Sequence, residues 1–211
     1  VEALLEAHSE GIKCEVGGVP YTVSGKSFYI GKSRIISVIW TDNSELEALR
    51  KTMQEEEMLV AYIVVDNIDE LVQVEQENTN AAAAEISSVL TNWANSVNGT
   101  IKEYERNRYI FFFAAKHMEA FIAQKFDILE KIRAIKIGTS GTPLTVSIGT
   151  TTLGDTILAK ENGARACLEM ALARGGDQAV VKTAQGIEYF GGVTKTMQKR
   201  STVKSRSIAL S

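Results

Sequence analysis

The hydrophobic rhythm of the chain changes near residue 58, and the two halves predict different structures. Residues 12–41, IKCEVGGVPYTVSGKSFYIGKSRIISVIWT, break short apolar and aromatic runs at Gly17-Gly18, Ser24-Gly25 and Gly31, the pattern of about three consecutive antiparallel strands. So few strands do not make a stable domain alone, so residues 1–41 are expected to be the C-terminal part of a larger β-rich domain. The next segment, DNSELEALRKTMQEEE, opens on the N-cap candidates Asp42, Asn43 and Ser44 and sets Leu46, Leu49 and Met53 at helical spacing, which predicts a connecting helix over 42–57.

From Leu59 the continuous apolar run LVAYIVV predicts a central strand covered on both faces, ending in acids where a helix begins near Ile68. TNAAAAEISSVLTNWANSVNG carries Ile86, Val89, Leu90, Trp93 and Val97 on one helical face and stops at Gly99. TIKEYERNRYIFFFAA alternates, turns at Arg106-Asn107 and returns as an apolar strand, a β-hairpin. HMEAFIAQKFDILEKIRAI predicts one further amphipathic helix and PLTVSIGTTT another buried strand. GARACLEMALARGG predicts a helix with Leu168, Ala171 and Leu172 inward, and DQAVVK a short closing strand. The order β-α-α-β-β-α-β-α-β is that of an α+β sandwich with helices on a mixed sheet.

Composition narrows the function classes. With 211 residues, 45% hydrophobic, the chain can bury one core of ordinary domain size plus a smaller appendage. A formal net charge of −3 and a pI near 5.6 argue against a nucleic-acid partner, because phosphate contacts need a basic face. Only the tail from Lys195 to Arg206 is locally basic, which suits a linker or docking segment. Cys14 and Cys167 are spaced neither as a disulfide framework nor as a metal pair and are expected to be reduced thiols. His8 and His117 have no metal-spaced partner. Asn98-Gly99-Thr100 is expected to be a turn. No apolar run approaches the roughly 20 residues of a spanning helix.

Arg174-Gly175-Gly176-Asp177-Gln178 resembles at a glance the GGDEF signature of enzymes that condense two GTP molecules into cyclic di-GMP. That signature needs its glycines at the tip of the central hairpin, where bare backbone can approach a triphosphate. Gly175 and Gly176 instead follow a helix, and their expected role is to end it. The architecture nevertheless resembles the GGDEF fold over residues 58–184: LTVSIGTT is similar to its TVSIG strand, ARACLEMALARGGD to its late helix, and VVDNIDEL to the DIDxF segment that carries a metal-binding aspartate. The resemblance puts the true signature position on the turn Glu105-Arg106-Asn107-Arg108-Tyr109. Both glycines are gone there, Arg108 replaces the acidic metal ligand, and Asn67 takes the first aspartate position of the metal segment. Glu75 and Ala84 stand where an active cyclase would read guanine.

A degenerate GGDEF domain with DNIDEL on its first strand, followed by YFGGVTKTMQKRSTVKSRSIA, resembles the GdpP (YybT-like) cyclic di-AMP phosphodiesterases. That family joins two membrane helices, a PAS domain, a degenerate GGDEF domain and a DHH/DHHA1 phosphodiesterase unit. The resemblance implies the end of a PAS domain over 1–41, a signalling helix over 42–57, the degenerate GGDEF domain over 58–190 and a linker towards a DHH domain over 191–211. It implies a cytoplasmic region of a membrane-anchored bacterial protein, without the DHH catalytic site and its manganese. No residue pattern in 1–41 argues for a haem.

Two readings of the candidate site follow. Asp66 and Asp69, with Arg106, Asn107 and Arg108 on the neighbouring turn, are candidates to hold ATP with magnesium, and the family resemblance implies weak hydrolysis there. Alternatively the two acids cap the helix near Ile68, the arginines are solvated, and the domain is structural: it forms a homodimer and relays a signal without binding nucleotide. No catalytic residue is assigned in either reading.

Overall fold

The computed structural model describes residues 11–66, 76–135 and 143–192, with the side chains of 76–80 outside the description. The chain divides into two compact units that meet at Glu55 and Glu56.

In the first unit β1 (Ile12–Val16), β2 (Val19–Ile30) and β3 (Ser33–Asp42) form an antiparallel sheet in the order β1-β2-β3. Gly17-Gly18 and Gly31 take positive φ at its turns, as the strand pattern requires. Helix α1 (Ser44–Glu55) follows, and the Ser44 amide donates to Asp42 Oδ1 at 2.8 Å. This is the expected side-chain cap.

The second unit is a six-stranded mixed sheet in the order β5-β6-β4-β7-β8-β9, with β4 (Met58–Val65), β5 (Thr100–Glu105), β6 (Arg108–Ala114), β7 (Val146–Thr151), β8 (Gln178–Thr183) and β9 (Gly186–Gly191). Only β7 and β8 run parallel; the other neighbours are antiparallel. The apolar run of β4 is explained by helices on both sides of the sheet. Leu59, Ala61, Ile63 and Val65 face a core shared with α2 (Gln76–Asn95), α3 (Met118–Ala123) and α4 (Ile128–Arg133). Val60 and Tyr62 face α5 (Ile157–Ala173), where Ala164 and Leu168 lie. Trp93, Phe111, Phe113, Phe121 and Phe126 pack ring to ring at the centre of the larger core. The glycine of VSIG is set by this layering: a Cβ on Gly149 would fall 2.1 Å from the backbone nitrogen of Leu168, so only glycine lets α5 lie this close to the sheet.

Three expectations are corrected. The single helix over 117–135 is two, because Lys125 and Phe126 take φ of 51° and 53° and turn the chain so that Phe126 enters the core. Leu172, expected inward on α5, is 37% exposed, whereas Leu168 and Ala171 are buried as expected. The strand β8 does not close the sheet: β9 pairs antiparallel with it through the turn at Ala184-Gln185. The glycine stop of α5 is present, with the amides of Gly175 and Gly176 donating to the carbonyls of Leu172 and Ala171, both at 2.9 Å. Asn98 forms the expected turn at φ 52°, and both cysteines are free.

Candidate functional site

One end of the six-stranded sheet collects the residues that the sequence singled out. There β4 ends at Asp66, the β5–β6 turn presents Arg106 and Asn107, β6 begins at Arg108, and β7 and β8 begin after Thr145 and Asp177. The backbone ties these together: the Val65 amide donates to the Asn107 carbonyl at 3.0 Å and the Asp66 amide to the Thr145 carbonyl at 2.9 Å. The predicted neighbours Asp66, Arg106, Asn107 and Arg108 therefore share one sheet end. Asp69, the second metal candidate, and Asn67 and Glu75 lie outside the described residues; Ala84 is exposed on α2.

The side chain of Asp66 is engaged by the protein itself. Ser147 donates its hydroxyl to Oδ1 at 2.7 Å, and the Asp177 amide donates to Oδ2 at 2.9 Å. Burial pushes the Asp66 carboxyl up from its ordinary value, against the opposing pull of the hydrogen bonds from Ser147, Asp177 and Thr145. Gly176 lies against it so closely that a Cβ would sit 2.9 Å from the carboxylate carbon.

Asp177 links that carboxylate to the rest of the domain. At φ 58°, it turns its amide to Asp66 while its own Oδ1 accepts from Arg133 Nε at 2.7 Å and its carbonyl from the Gly192 amide at 2.7 Å. The Arg133 and Asp177 side chains are 12% and 3% exposed, so this ion pair is shielded from water. Gln178 completes the turn by donating to the carbonyls of Ala171 and Gly176 and accepting from Arg174. The Arg-Gly-Gly-Asp-Gln segment thus binds the end of α5 and the start of β8 to Asp66 and Arg133. Reading it as a helix stop captured the glycines and missed Asp177, Arg133 and Ser147. The polar Ser147 inside the apolar strand VSIG was the one signal in the sequence that could have led there, because a buried hydroxyl needs a partner.

The hairpin turn is built without glycine. Asn107 supplies the left-handed residue at φ 63°, and its amide donates to Glu103 Oε1 at 2.9 Å, so it is already satisfied. Arg108 pairs at 3.5 Å with Glu105, and Arg106 is exposed. The GGDEF fold implies a magnesium ion at this end of the sheet. Among the described residues the donor set is poor for one: each oxygen of Asp66 already accepts a hydrogen bond, Asp177 is paired with Arg133, and Arg108 stands where the sequence resemblance puts the fold's second acid. No group of three His, Cys, Asp or Glu side chains that could hold a metal occurs among the described residues.

Residues 63–189 match the family described as cyclic-di-AMP phosphodiesterase GdpP-like, GGDEF domain. The chain belongs to this family. It is 33% identical over 180 residues to the cyclic-di-AMP phosphodiesterase PdeA of Listeria monocytogenes, an alignment covering 84% of this chain and 27% of that protein. It is 28% identical over 201 residues to the cyclic-di-AMP phosphodiesterase GdpP of Bacillus subtilis, covering 94% and 30% respectively. The chain therefore spans less than a third of the length of these relatives. Among solved structures, the active GGEEF domain of a diguanylate cyclase from Vibrio cholerae superposes with a TM-score of 0.52 at 12% identity, covering 64% of this chain and 89% of that one. The GGDEF domain of DgcB from Caulobacter crescentus, in complex with c-di-GMP, gives 0.52 at 14%, covering 66% and 86%. At such identities the likeness is one of fold, an α+β GGDEF architecture. No helix among the described residues is long and apolar enough to cross a membrane.

Proposed function

We propose that this chain is a regulatory module of a cyclic di-AMP phosphodiesterase, one that makes no cyclic di-GMP and hydrolyses no cyclic dinucleotide itself. The observation that carries the proposal is the closure of Asp66 by Ser147 and Asp177 in a GdpP-like GGDEF domain. A cyclase needs that end of the sheet open to a metal and a triphosphate, with glycine at the turn. Here side chains stand at Arg106 and Asn107, and the carboxylate is spent on the fold. Phosphodiester hydrolysis by metal ions needs a cluster of carboxylates and histidines, and this role falls to a DHH/DHHA1 unit in the longer, membrane-anchored protein that the family resemblance implies.

A second reading rests on Arg106 and Arg108, exposed cations on the turn beside the end of β4. With Asn107 they would receive the phosphates of ATP, and Asp69 rather than Asp66 would have to supply the carboxylate for magnesium.

Incubating cyclic di-AMP and manganese with this chain alone, and with the full-length protein that contains it, tests the proposal. Hydrolysis by the full-length protein only is the expected result. Hydrolysis by the chain alone overturns the regulatory assignment, and inactivity of the full-length protein overturns its parentage.

A further inference from the structure

The chain leaves the six-stranded sheet at the same end that holds Asp66. Strand β9 runs back along β8 until Gly191 lies opposite Gln178, and the next amide, that of Gly192, donates to the Asp177 carbonyl at 2.7 Å. Arg133 Nη2 donates to the same carbonyl at 3.3 Å. Gly191 and Gly192 take φ of 90° and 86°, and a Cβ on Gly191 would fall 2.7 Å from that carbonyl oxygen and 2.8 Å from Leu129 Cδ1. The glycine pair is what lets the departing backbone close on Asp177. Asp177 is itself held in an uncommon conformation. At φ 58° it ends a run of three positive-φ residues begun by Gly175 and Gly176, and a residue with a side chain keeps such a φ when its surroundings enforce it. The bonds from its amide to Asp66 Oδ2 and from Arg133 Nε to its carboxylate supply that enforcement.

We infer that the Asp177 turn is a clasp on the exit of the domain, held closed by the Asp66 carboxylate. With its amide fixed on Asp66, Asp177 aims its carbonyl at the Gly192 amide. Without that acceptor the residue relaxes towards the negative φ that side chains favour, and the rotation carries the carbonyl away from Gly192. Closed and open are two arrangements of one turn, and the Asp66 carboxylate sets the balance between them. Whatever takes the carboxylate from the Asp177 amide frees the residues at which the chain leaves the sheet. The clasp thus gives a regulatory module a route from the end of β4 to its own exit. The inference adds to the regulatory proposal without resting on it, because it is read in this chain alone and not from hydrolysis of a cyclic dinucleotide.

Amide hydrogen exchange of the whole chain, followed residue by residue under native conditions, tests it. Asp66→Ala is expected to speed exchange of the Gly192 amide about tenfold or more, and Asp66→Asn, which keeps an acceptor for the Asp177 amide, to leave it within about threefold of the wild type. Leu90→Ala is the control: it lowers global stability from a fully buried position in α2, and an amide freed by local opening does not follow it. Coupling acts in both directions. Gly191→Ala, whose new Cβ meets the Asp177 carbonyl, is therefore expected to speed exchange of the Asp177 amide, and this arm stands where Asp66→Ala does not fold. The inference is overturned if Gly192 exchanges at the wild-type rate in Asp66→Ala, or if Leu90→Ala or Asp66→Asn accelerates it as much. An Asp177 amide as protected in Gly191→Ala as in the wild type overturns it equally.

Discussion

The carboxylate of Asp66 accepts a hydrogen bond at 2.9 Å from the backbone amide of Asp177, 111 positions further along the chain. It joins the end of the central strand β4 to the start of β8. With the Ser147 hydroxyl on the other oxygen, it turns an acid that a GGDEF fold would offer to a metal into a tie within the domain. Asp66→Ala leaves the Asp177 amide and the Ser147 hydroxyl without their acceptor, and is expected to cost about 2–3 kcal/mol of stability in urea denaturation. Asp66→Asn keeps an acceptor for the amide, and Ser147 can rotate to accept from Nδ2, so a loss nearer 1 kcal/mol is expected. Equal and negligible losses for both would show that the tie is not structural.

Arg133 and Asp177 form the second half of the same assembly. Arg133→Met removes the cation that pairs with the Asp177 carboxylate, which is 3% exposed. The expected loss is about 3–5 kcal/mol. Arg133→Met combined with Asp177→Asn removes both charges, and recovery of at least part of that loss in a double-mutant cycle is the expected signature of the pair.

Gly149 sets the distance between β7 and α5. In Gly149→Ala the new methyl would fall 2.1 Å from Leu168 N and 2.4 Å from Ala164 O, both helix backbone that no rotamer change can move. A loss of about 3 kcal/mol or more is expected, read as a large fall in the melting temperature. The same substitution at Gly17, where no atom lies within 4 Å of the new Cβ, meets only the cost of its positive φ and is expected to destabilise by about 1 kcal/mol.

Tyr62 gives the pH dependence. Its ring is buried under α5, with Arg165 4.3 Å from the ring centroid, and its hydroxyl donates to Glu161 Oε1 at 2.7 Å. Burial first, and the Glu161 hydrogen bond second, push the phenol up to about 12. The unfolded chain loses this proton near pH 10, so between 10 and 12 the native state binds more protons than the unfolded one and stability falls as pH rises. Denaturation midpoints measured across that window are expected to decline less steeply for Tyr62→Phe than for the wild type. In the wild type, absorbance titration should show a late-ionising component that Tyr62→Phe diminishes. A late component unchanged in Tyr62→Phe, or absent from the wild type, would contradict the burial of Tyr62 and its hydrogen bond to Glu161.

Much of the fold was legible because its signals are local. The run LVAYIVV reads as a two-sided strand, Arg106-Asn107 as a turn and Gly175-Gly176 as a helix stop, each from a few adjacent residues. The break at Lys125-Phe126 was not, since neither residue is a turn former and the driving force is burial of the Phe126 ring against Phe121 and Phe190. The β9 strand was hidden for a related reason: GIEYFG is short and bounded by glycine at both ends, and it is held by pairing with β8. At the site, the sequence located Asp66 and the arginine-bearing turn at one sheet end. It could not show which way the carboxylate faces, because Ser147, Asp177 and Arg133 come from three other elements and meet only in the folded chain.

The most direct test of the claim that Asp66 serves the fold and not a metal is a thermal melt of the wild type and Asp66→Asn, each with and without magnesium and ATP in large excess. A bound ligand raises the melting temperature by mass action. The account predicts that magnesium and ATP leave the wild-type melting temperature unchanged, and that Asp66→Asn melts a few degrees lower in both conditions. A rise of several degrees in the wild type that Asp66→Asn abolishes would contradict it and place a metal–nucleotide complex on that carboxylate.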